Sequence, residues 1–386
     1  MGKCVLKESK SPIEPIRIAQ VMGKMLGGGV EAVVMNYYRH IDRSRVQFDF
    51  LVDADSTRVP RDEIESLGGR VFVVPPYQKP LSYQRELVKL FAEQRWPIVH
   101  SHINTLSVFS LRAAQRAGVP VRIAHSHSTS NPNERAKTVL KDILRTQANR
   151  YPTARFACGQ YAGEWLFGRD QSFTVMPNAI DLQRFKFSYA KRMDLREKLG
   201  IGEGAFVVLH MGRFVEQKNH KFLIDVFSKL LEGNPTAVLL LAGEGPLRPA
   251  TEQMVDTLGI ADNVLFLGQR SDADALYCAA DVFCLPSLYE GLPVVAVEAQ
   301  ASGLPIIMSD QVTHEALITS RAKMISLEAH TDAWADEVSE GGAARLGEVS
   351  PDDRAAISRY DIQNAAPLLA EQYIEFANKA VVKFGQ

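Results

Sequence analysis

The chain has 386 residues, 46% hydrophobic and 23% charged, with 26 glycines and 19 prolines, a composition that excludes a disordered or collagen-like protein. Forty-four lysines and arginines face 45 aspartates and glutamates, so no global cationic field exists to hold a nucleic acid. At roughly 150 residues per domain the length suits two domains with small extras, and two domains create one cleft.

Residues 1–15 carry Lys3, Lys7, Lys10, Pro12 and Pro15 without an apolar run, and are expected to form a flexible leading segment rather than a signal peptide. No apolar stretch is long enough to span a bilayer. The four cysteines, Cys4, Cys158, Cys278 and Cys284, show neither C-x-x-C nor His-Cys metal spacing. Reduced, buried thiols and a cytoplasmic location are the expectation.

From Ile16 short β-branched runs alternate with longer amphipathic ones: IRIAQVM, VEAVVMNYYRHI, FDFLV, RVFVV, SYQRELVKLFAEQ and PIVHSH. This is βαβα patterning and predicts a parallel sheet. VRIAHS, a basic helix near 133–149, RFACG and FTVMPN continue it, and the polar stretch NAIDLQRFKFSYAKR then interrupts it, placing a domain junction near 177–187. A second set follows: AFVVLHMG, a helix over NHKFLIDVFSKLLE, AVLLLAG, a helix over 246–258, NVLFLG, DVFCLP, a helix over 293–301, and LPIIMS. The fold class is therefore α/β with two Rossmann-like parallel-sheet domains, 16–180 and 181–365. A last helix at about 366–384 has a mixed apolar face that needs a packing partner.

The strongest local signal is the segment Ser287-Leu-Tyr-Glu290-Gly-Leu-Pro-Val-Val-Ala-Val-Glu298. A loop carboxylate and a helix carboxylate beside Gly291 are suited to gripping several hydroxyls of one polyol. Either acid alone would read as a solvated side chain. Pro293 suits the first helical turn, whose free amides and positive end would face residues 290–292 and attract phosphate.

A second cluster, Gly212-Arg-Phe-Val-Glu-Gln-Lys-Asn-His220, follows the strand VVLHM, and loops at the carboxyl edge of a parallel sheet are the usual place for ligands. Arg213 offers a planar fork and Lys218 a mobile point charge for one diphosphate. Solvated surface cations are the bland reading. The loop Gly27-Gly28-Gly29 lets a ligand approach bare backbone at a helix start, though glycine triples also serve as plain turns.

His100, His102, His125 and His127 lie at or just after two strand ends, where they line ligands or simply complete a core. With no cysteine or acid cluster accompanying them, no metal is expected. Gly243-Glu244-Gly245-Pro246 opens like a dinucleotide fingerprint, but Arg248 stands where Gly or Ala would complete it, which disfavours a nicotinamide oxidoreductase. The same loop suits the base and phosphate end of a sugar nucleotide. Lys137, Lys141 and Arg145 fall at i, i+4 and i+8 opposite Leu140, Ile143 and Leu144, a stripe that is either a solvated face or a contact for an anionic membrane.

In their order from Ile16 to Phe376 these clusters resemble glycosyltransferase family 4, retaining transferases of the GT-B fold, with the flavour of bacterial capsule and exopolysaccharide enzymes. The resemblance implies that Arg213 and Lys218 hold the donor diphosphate, that Glu290 faces the transferred sugar and Glu298 the ribose. It places the backbone of Leu292, Pro293 and Val294, with Gly291, near the diphosphate and sugar. Gly28 and Gly29 would lie beneath the donor, and Gly243, Glu244 and Gly268 would complete its site. A histidine of AHSHS would stand beside the sugar; His125 and His127 both remain candidates, the latter preferred. Pro177 to Asp181 resembles the interdomain hinge, and the last helix would cross back to the first domain.

The implied function is metal-independent and cofactor-free transfer of a hexose-type sugar, with UDP the expected carrier, to a glycan or lipid-linked hydroxyl. Two rivals stand beside it. A sugar-nucleotide epimerase of the same shape would act on donor alone. A non-catalytic nucleotide-sugar binding subunit would not need the intact set Arg213, Lys218, Glu290 and Glu298.

Overall fold

The computed structural model describes residues 14–127, 142–343, 345 and 349–384. Two parallel sheets carry the fold. The first has seven strands: β1 (Ile16–Gly23), β2 (Val46–Asp53), β3 (Arg70–Val74), β4 (Ile98–Ser101), β5 (Val121–Ser126), β6 (Ala154–Ala157) and β7 (Thr174–Val175), in the order β3-β2-β1-β4-β5-β6-β7. The second has six: β8 (Val207–Met211), β9 (Val238–Ala242), β10 (Val264–Gly268), β11 (Val282–Leu285), β12 (Ile306–Ser309) and β13 (Ala322–Ile325), in the order β10-β9-β8-β11-β12-β13.

These strands form because their sequences are near-continuous Val, Ile, Leu and Phe, which a sheet covered by helices on both faces can bury. All eight residues of β2 are buried. The connecting helices are α1 (Gly29–His40), α2 (Arg61–Ser66), α3 (Pro80–Gln94), α4 (Ser107–Arg116), α5 (Gln160–Phe167), α6 (Leu182–Phe185), α7 (Tyr189–Lys198), α8 (His220–Gly233), α9 (Arg248–Thr257), α10 (Ala273–Ala279), α11 (Val294–Ala301), α12 (Thr331–Ala343) and α13 (Pro351–Ser358). In each sheet the strand order reverses once, beside β1 and β4 in the first and beside β8 and β11 in the second. Ligands bind at such switch points, beyond the carboxyl ends of the strands.

The final helix, α14 (Ile362–Phe384), packs on α1, β2, β4 and β5 of the first domain. Leu369, Tyr373 and Ala377 are buried there, which supplies the partner that its apolar face demanded. The chain crosses between domains twice at one place: the Ile180 amide donates to Tyr360 O at 2.8 Å, and the Ile362 amide to Ile180 O at 3.0 Å.

Several boundaries differ from the sequence expectation. The helix placed at 246–258 begins at Arg248, because the Leu247 amide donates to Phe214 O at 3.0 Å and the Arg248 amide closes a turn on Gly245 O at 3.2 Å. The last helix starts at Ile362 rather than near Ala366, since the bridge to Ile180 aligns its first turn. Pro293 precedes α11 as its cap residue with extended backbone, so the first helical position is Val294.

Of the basic stripe, Lys137 and Lys141 lie outside the described residues. Arg145 lies over the Trp165 ring at 5.7 Å and reaches Trp165 O at 3.4 Å, so it is drawn onto α5. Ile143, expected on the covered face, is exposed, whereas Leu144 is buried. Cys158, Cys278 and Cys284 are buried and unpaired. No helix among the described residues is long and apolar enough to cross a membrane.

Candidate active site

The carboxyl ends of β8, β9 and β10 each turn through a glycine, Gly212, Gly243 and Gly268. Gly212 N donates to Ala242 O at 3.0 Å, and Gly243 N to Gly268 O at 2.8 Å, so the three turns are laced side by side. A Cβ on Gly243, whose φ is +145°, would run into Gly212 O. Glycine is required there by contact as well as by conformation. Glu244, just beyond, is paired with Arg248 of α9.

The loop after β8 and the loop after β11 meet across the switch point. Gln217 O accepts from the Leu288 amide at 2.8 Å, and Gln217 Nε2 donates to Tyr289 O at 2.9 Å. Clamped this way, Lys218 Nζ donates to Glu290 Oε1 at 2.5 Å. Ser287 Oγ donates to the same oxygen at 3.1 Å, and Gln217 Nε2 reaches Glu290 Oε2 at 3.2 Å. The cation expected on a diphosphate and the acid expected on a sugar are thus each other's partners. With side-chain exposures of 15% and 10%, the pair is little screened by water. Arg213, by contrast, is exposed and forms no ion pair among the described residues.

Leu292 to Val294 lead from Glu290 into α11, and Asn178 at the hinge donates to Leu292 O at 2.6 Å. The first amides of α11 have no partners within the helix, so its positive end opens at this loop. Glu298, one turn further along, accepts from the Tyr277 hydroxyl at 2.8 Å on Oε2. Glu290 and Glu298, eight residues apart, therefore have separate partner sets rather than a shared one.

Burial pushes the Glu298 carboxyl up to about 7, against smaller downward pulls from Tyr277 and Arg184. Its neutral form is favoured in the fold while an unfolded glutamate ionises near 4.5. Stability from this site is therefore full below about pH 4.5 and declines as pH rises through 7. Replacing Glu298 with Gln should raise stability relative to the parent protein progressively from pH 5 to pH 8, by up to about 2–3 kcal/mol. Urea denaturation across that range checks the trend; a difference independent of pH would contradict it.

On the first domain the glycine loop after β1 faces these elements. A Cβ on Gly29 would sit 3.6 Å from Val294 Cγ2, and one on Gly27, whose φ is +81°, would strike the Gln269 side chain. The expectation that this loop presents free amides to a ligand is corrected by Glu31. Its carboxylate accepts from the Leu26 amide at 2.9 Å, from the Gly28 amide at 2.8 Å and from the Gly27 amide between them. The anion that the α1 terminus attracts is thus its own side chain, three residues inside the helix. Gly27 and Gly29 bring the backbone of this loop close to Gln269 and Val294 of the second domain. Burial raises the Glu31 carboxyl, and Arg213 across the cleft is among the groups that pull it down.

The four histidines converge. His100 Nε2 lies 3.1 Å from His125 Nδ1, and His102 Nδ1 lies 2.9 Å from His127 Nε2. The His125 and His127 rings stack with centroids 3.8 Å apart. Burial holds all four well below the ordinary imidazole range, His127 at about 3. One nitrogen from each of His100, His102 and His125 falls within 4.8 Å of the others, close enough to consider an ion. Those rings, however, already hydrogen-bond in the network. His125 is fully enclosed, whereas His127 keeps 7% exposure.

Sequence reading missed Glu31, Gln217, Ser287, Tyr277, Gln20 and Tyr373. Glu31 had a signal, standing three residues after the Gly28 cap position in the manner of a capping acid. Tyr277 and Tyr373 come from helices remote in sequence and carry no local motif.

Comparison with known proteins agrees with this geometry. Residues 28–179 match the family model described as glycosyl transferase 4-like domain, and residues 191–340 match glycosyl transferases group 1. The chain is 38% identical over 346 residues to the putative glycosyltransferase EpsF of Bacillus subtilis (strain 168), covering 85% of this chain and 88% of that one. It is 29% identical over 318 residues to the Escherichia coli UDP-Gal:alpha-D-GlcNAc-diphosphoundecaprenol alpha-1,3-galactosyltransferase, covering 78% and 81%. Among solved structures, Anabaena HepE in complex with UDP-glucose superposes with TM-score 0.77 at 21% identity, over 93% of this chain and 99% of that one. WaaG, a glycosyltransferase involved in lipopolysaccharide biosynthesis, superposes with TM-score 0.60 at 17% identity, over 96% and 100%. The two facing parallel-sheet domains, the family models over both and the full-length likeness to EpsF show that the chain belongs to the family 4 glycosyltransferases of the GT-B fold.

Proposed function

We propose that the enzyme transfers a hexose from UDP to a hydroxyl of a glycan or lipid-linked acceptor, with retention, in the synthesis of a bacterial polysaccharide. The observation that carries this reading is the half-buried Lys218–Glu290 pair beside the start of α11, at the switch point of the second sheet. A sugar diphosphate entering there offers Lys218 and Arg213 an anion and Glu290 a set of hydroxyls. On donor binding the Lys218–Glu290 ion pair would be exchanged for contacts of the same kind. Glu298 would take the ribose hydroxyls in its ionised form.

Charge grows on the departing diphosphate as the anomeric bond breaks, and preorganised cations and amides stabilise it more than the ground state. Arg213, Lys218 and the α11 terminus supply that stabilisation, so the chemistry as proposed is metal-independent. The acceptor oxygen attacks the anomeric carbon, its proton passes to the leaving phosphate oxygen, and the sugar–phosphate bond breaks. The lipid-diphosphate acceptor named for the Escherichia coli relative supports that acceptor class, and unpaired thiols suit a cytoplasmic enzyme working at the inner membrane face.

A panel of UDP, GDP and ADP sugars, each incubated in chelator with and without lipid-diphosphate glycan acceptors, tests the reading. Acceptor-dependent product from a UDP-sugar is expected. Conversion of donor to its epimer without acceptor would replace the reading by the epimerase, and no turnover with firm donor binding would favour a binding subunit.

A further inference from the structure

Helix α5 begins without a cap of its own. Gly159 at its cap position has no side chain, and no acid stands in its first turn, so its positive end and first amides are left to another segment. The partner comes from the other domain, 155 residues beyond Gln160. Glu315, in the turn at 314–316 after β12, accepts from the Gln160 amide at 2.7 Å on Oε1 and from the Tyr161 amide at 3.0 Å on Oε2. Among the described residues its carboxylate has no other hydrogen-bond partner. Gly159 makes room for it: a Cβ there would lie 2.6 Å from Glu315 Oε2. The Gly159 backbone is extended, with φ −166°, a conformation any residue adopts. Glycine is required at this position by the carboxylate alone.

Both ends of this contact are anchored to the site. On the first domain, Ser126 Oγ donates to Ala162 O of α5 at 2.7 Å, the Cys158 amide to Ser126 O at 2.9 Å, and the Cys158 thiol to His127 O at 3.5 Å. The start of α5 is thereby tied to the strand end that carries His127. On the second domain Gln300 of α11, 2% exposed, holds the turn. Its Nε2 donates to Ala316 O at 2.9 Å, and its Oε1 accepts from the amides of Ile318 at 3.1 Å and Thr319 at 2.9 Å. Glu315 is thus fixed to the helix whose first turn opens at the Glu290 loop.

We infer that Glu315 is a positioning residue that closes the cleft in one register: by joining α11 to α5 it fixes where His127 stands against the Glu290 loop. The inference rests on the transferase reading for the groups so brought together. A cap drawn from the first domain would satisfy α5 whatever the second domain did, as Glu31 does for α1. A carboxylate carried by the second domain satisfies these amides only when the domains meet. The two bonds are charge-assisted and stronger than neutral ones, and transfer between two bound groups depends steeply on their relative placement.

The test is amide hydrogen exchange at Gln160 and Tyr161 of the full chain, read by NMR, with steady-state kinetics and UDP binding alongside. Glu315→Ala should speed exchange at both amides by roughly tenfold or more and lower kcat by roughly threefold to thirtyfold. UDP affinity should stay within about twofold of the parent, because Arg213, Lys218, Glu290 and Glu298 all belong to the second domain. Gly159→Ala displaces the same carboxylate from the other side and should reproduce both effects, and the double variant should show no further loss, since the two changes break one contact. Amides that stay protected in both single variants would overturn the inference, as would additive losses in the double variant. So would a parent-like kcat in a variant whose amides are released, or a fall in UDP affinity as large as the fall in kcat. The exchange measurement needs no substrate, so failure of the clasp is told apart from failure of the transferase reading.

Discussion

Lys218→Ala is expected to lower kcat by roughly 10²–10³-fold, the usual effect of removing one preorganised charge-stabilising donor. Two effects combine in it. The diphosphate loses its nearest mobile cation, and Glu290 loses the partner that neutralises it at 10% exposure. The second would also destabilise the fold, so melting must be measured with the kinetics. Lys218→Met combined with Glu290→Gln removes both charges at nearly constant shape, and a buried pair replaced together costs far less than one partner removed. The double variant should therefore melt close to the parent while remaining inactive. Recovery of turnover in the double variant would show that Lys218 acts only by holding Glu290, and would contradict a role at the leaving group.

Asp281→Ala should cost about 3–5 kcal/mol of stability, because it leaves two guanidinium groups buried without their counter-charge. Asp281 Oδ1 accepts from Arg192 at 2.6 Å, and Oδ2 accepts from Arg196 at 2.7 Å and from the Val207 amide at 2.8 Å. The two arginines stand four apart on α7 and so share one helical face. Their side chains are 8% and 1% exposed; carbonyls at 278–280 take Arg192 Nη1 and Arg196 Nε, and Glu203 O and Ala205 O take Arg196 Nη1. This cluster ties α7, the first helix of ordinary length after the hinge, to the strand that leads into the Glu290 loop. A loss of that size is a large share of the roughly 5–15 kcal/mol that holds a domain folded. Urea denaturation of the variant checks it; a midpoint unchanged from the parent would mean that water or a local shift satisfies both cations.

The fold was legible in the sequence because alternation of buried β-branched runs with amphipathic helices leaves few topologies other than two parallel sheets. The glycine and charge clusters were legible because they sit where strands such as VVLHM and DVFCLP end. Pairing was not. Nothing local announces that Lys218 and Glu290, on loops of different strands, neutralise each other, or that the α1 terminus is satisfied by Glu31 rather than by a ligand. The histidines could be placed at strand ends, yet their buried hydrogen-bond network runs to Tyr373, which lies 273 residues beyond His100. Local patterns set elements; contacts at long range in sequence set proton and charge states.

The central claim is a donor site formed by the β8 and β11 loops and α11, and the most direct measurement is a thermal-shift panel of UDP, GDP and ADP in chelator. A ligand that binds the native state alone raises the melting temperature by mass action. The account predicts a shift selective for UDP that is lost in Glu298→Ala. No shift from any nucleotide, or an equal shift retained in Glu298→Ala, would contradict it.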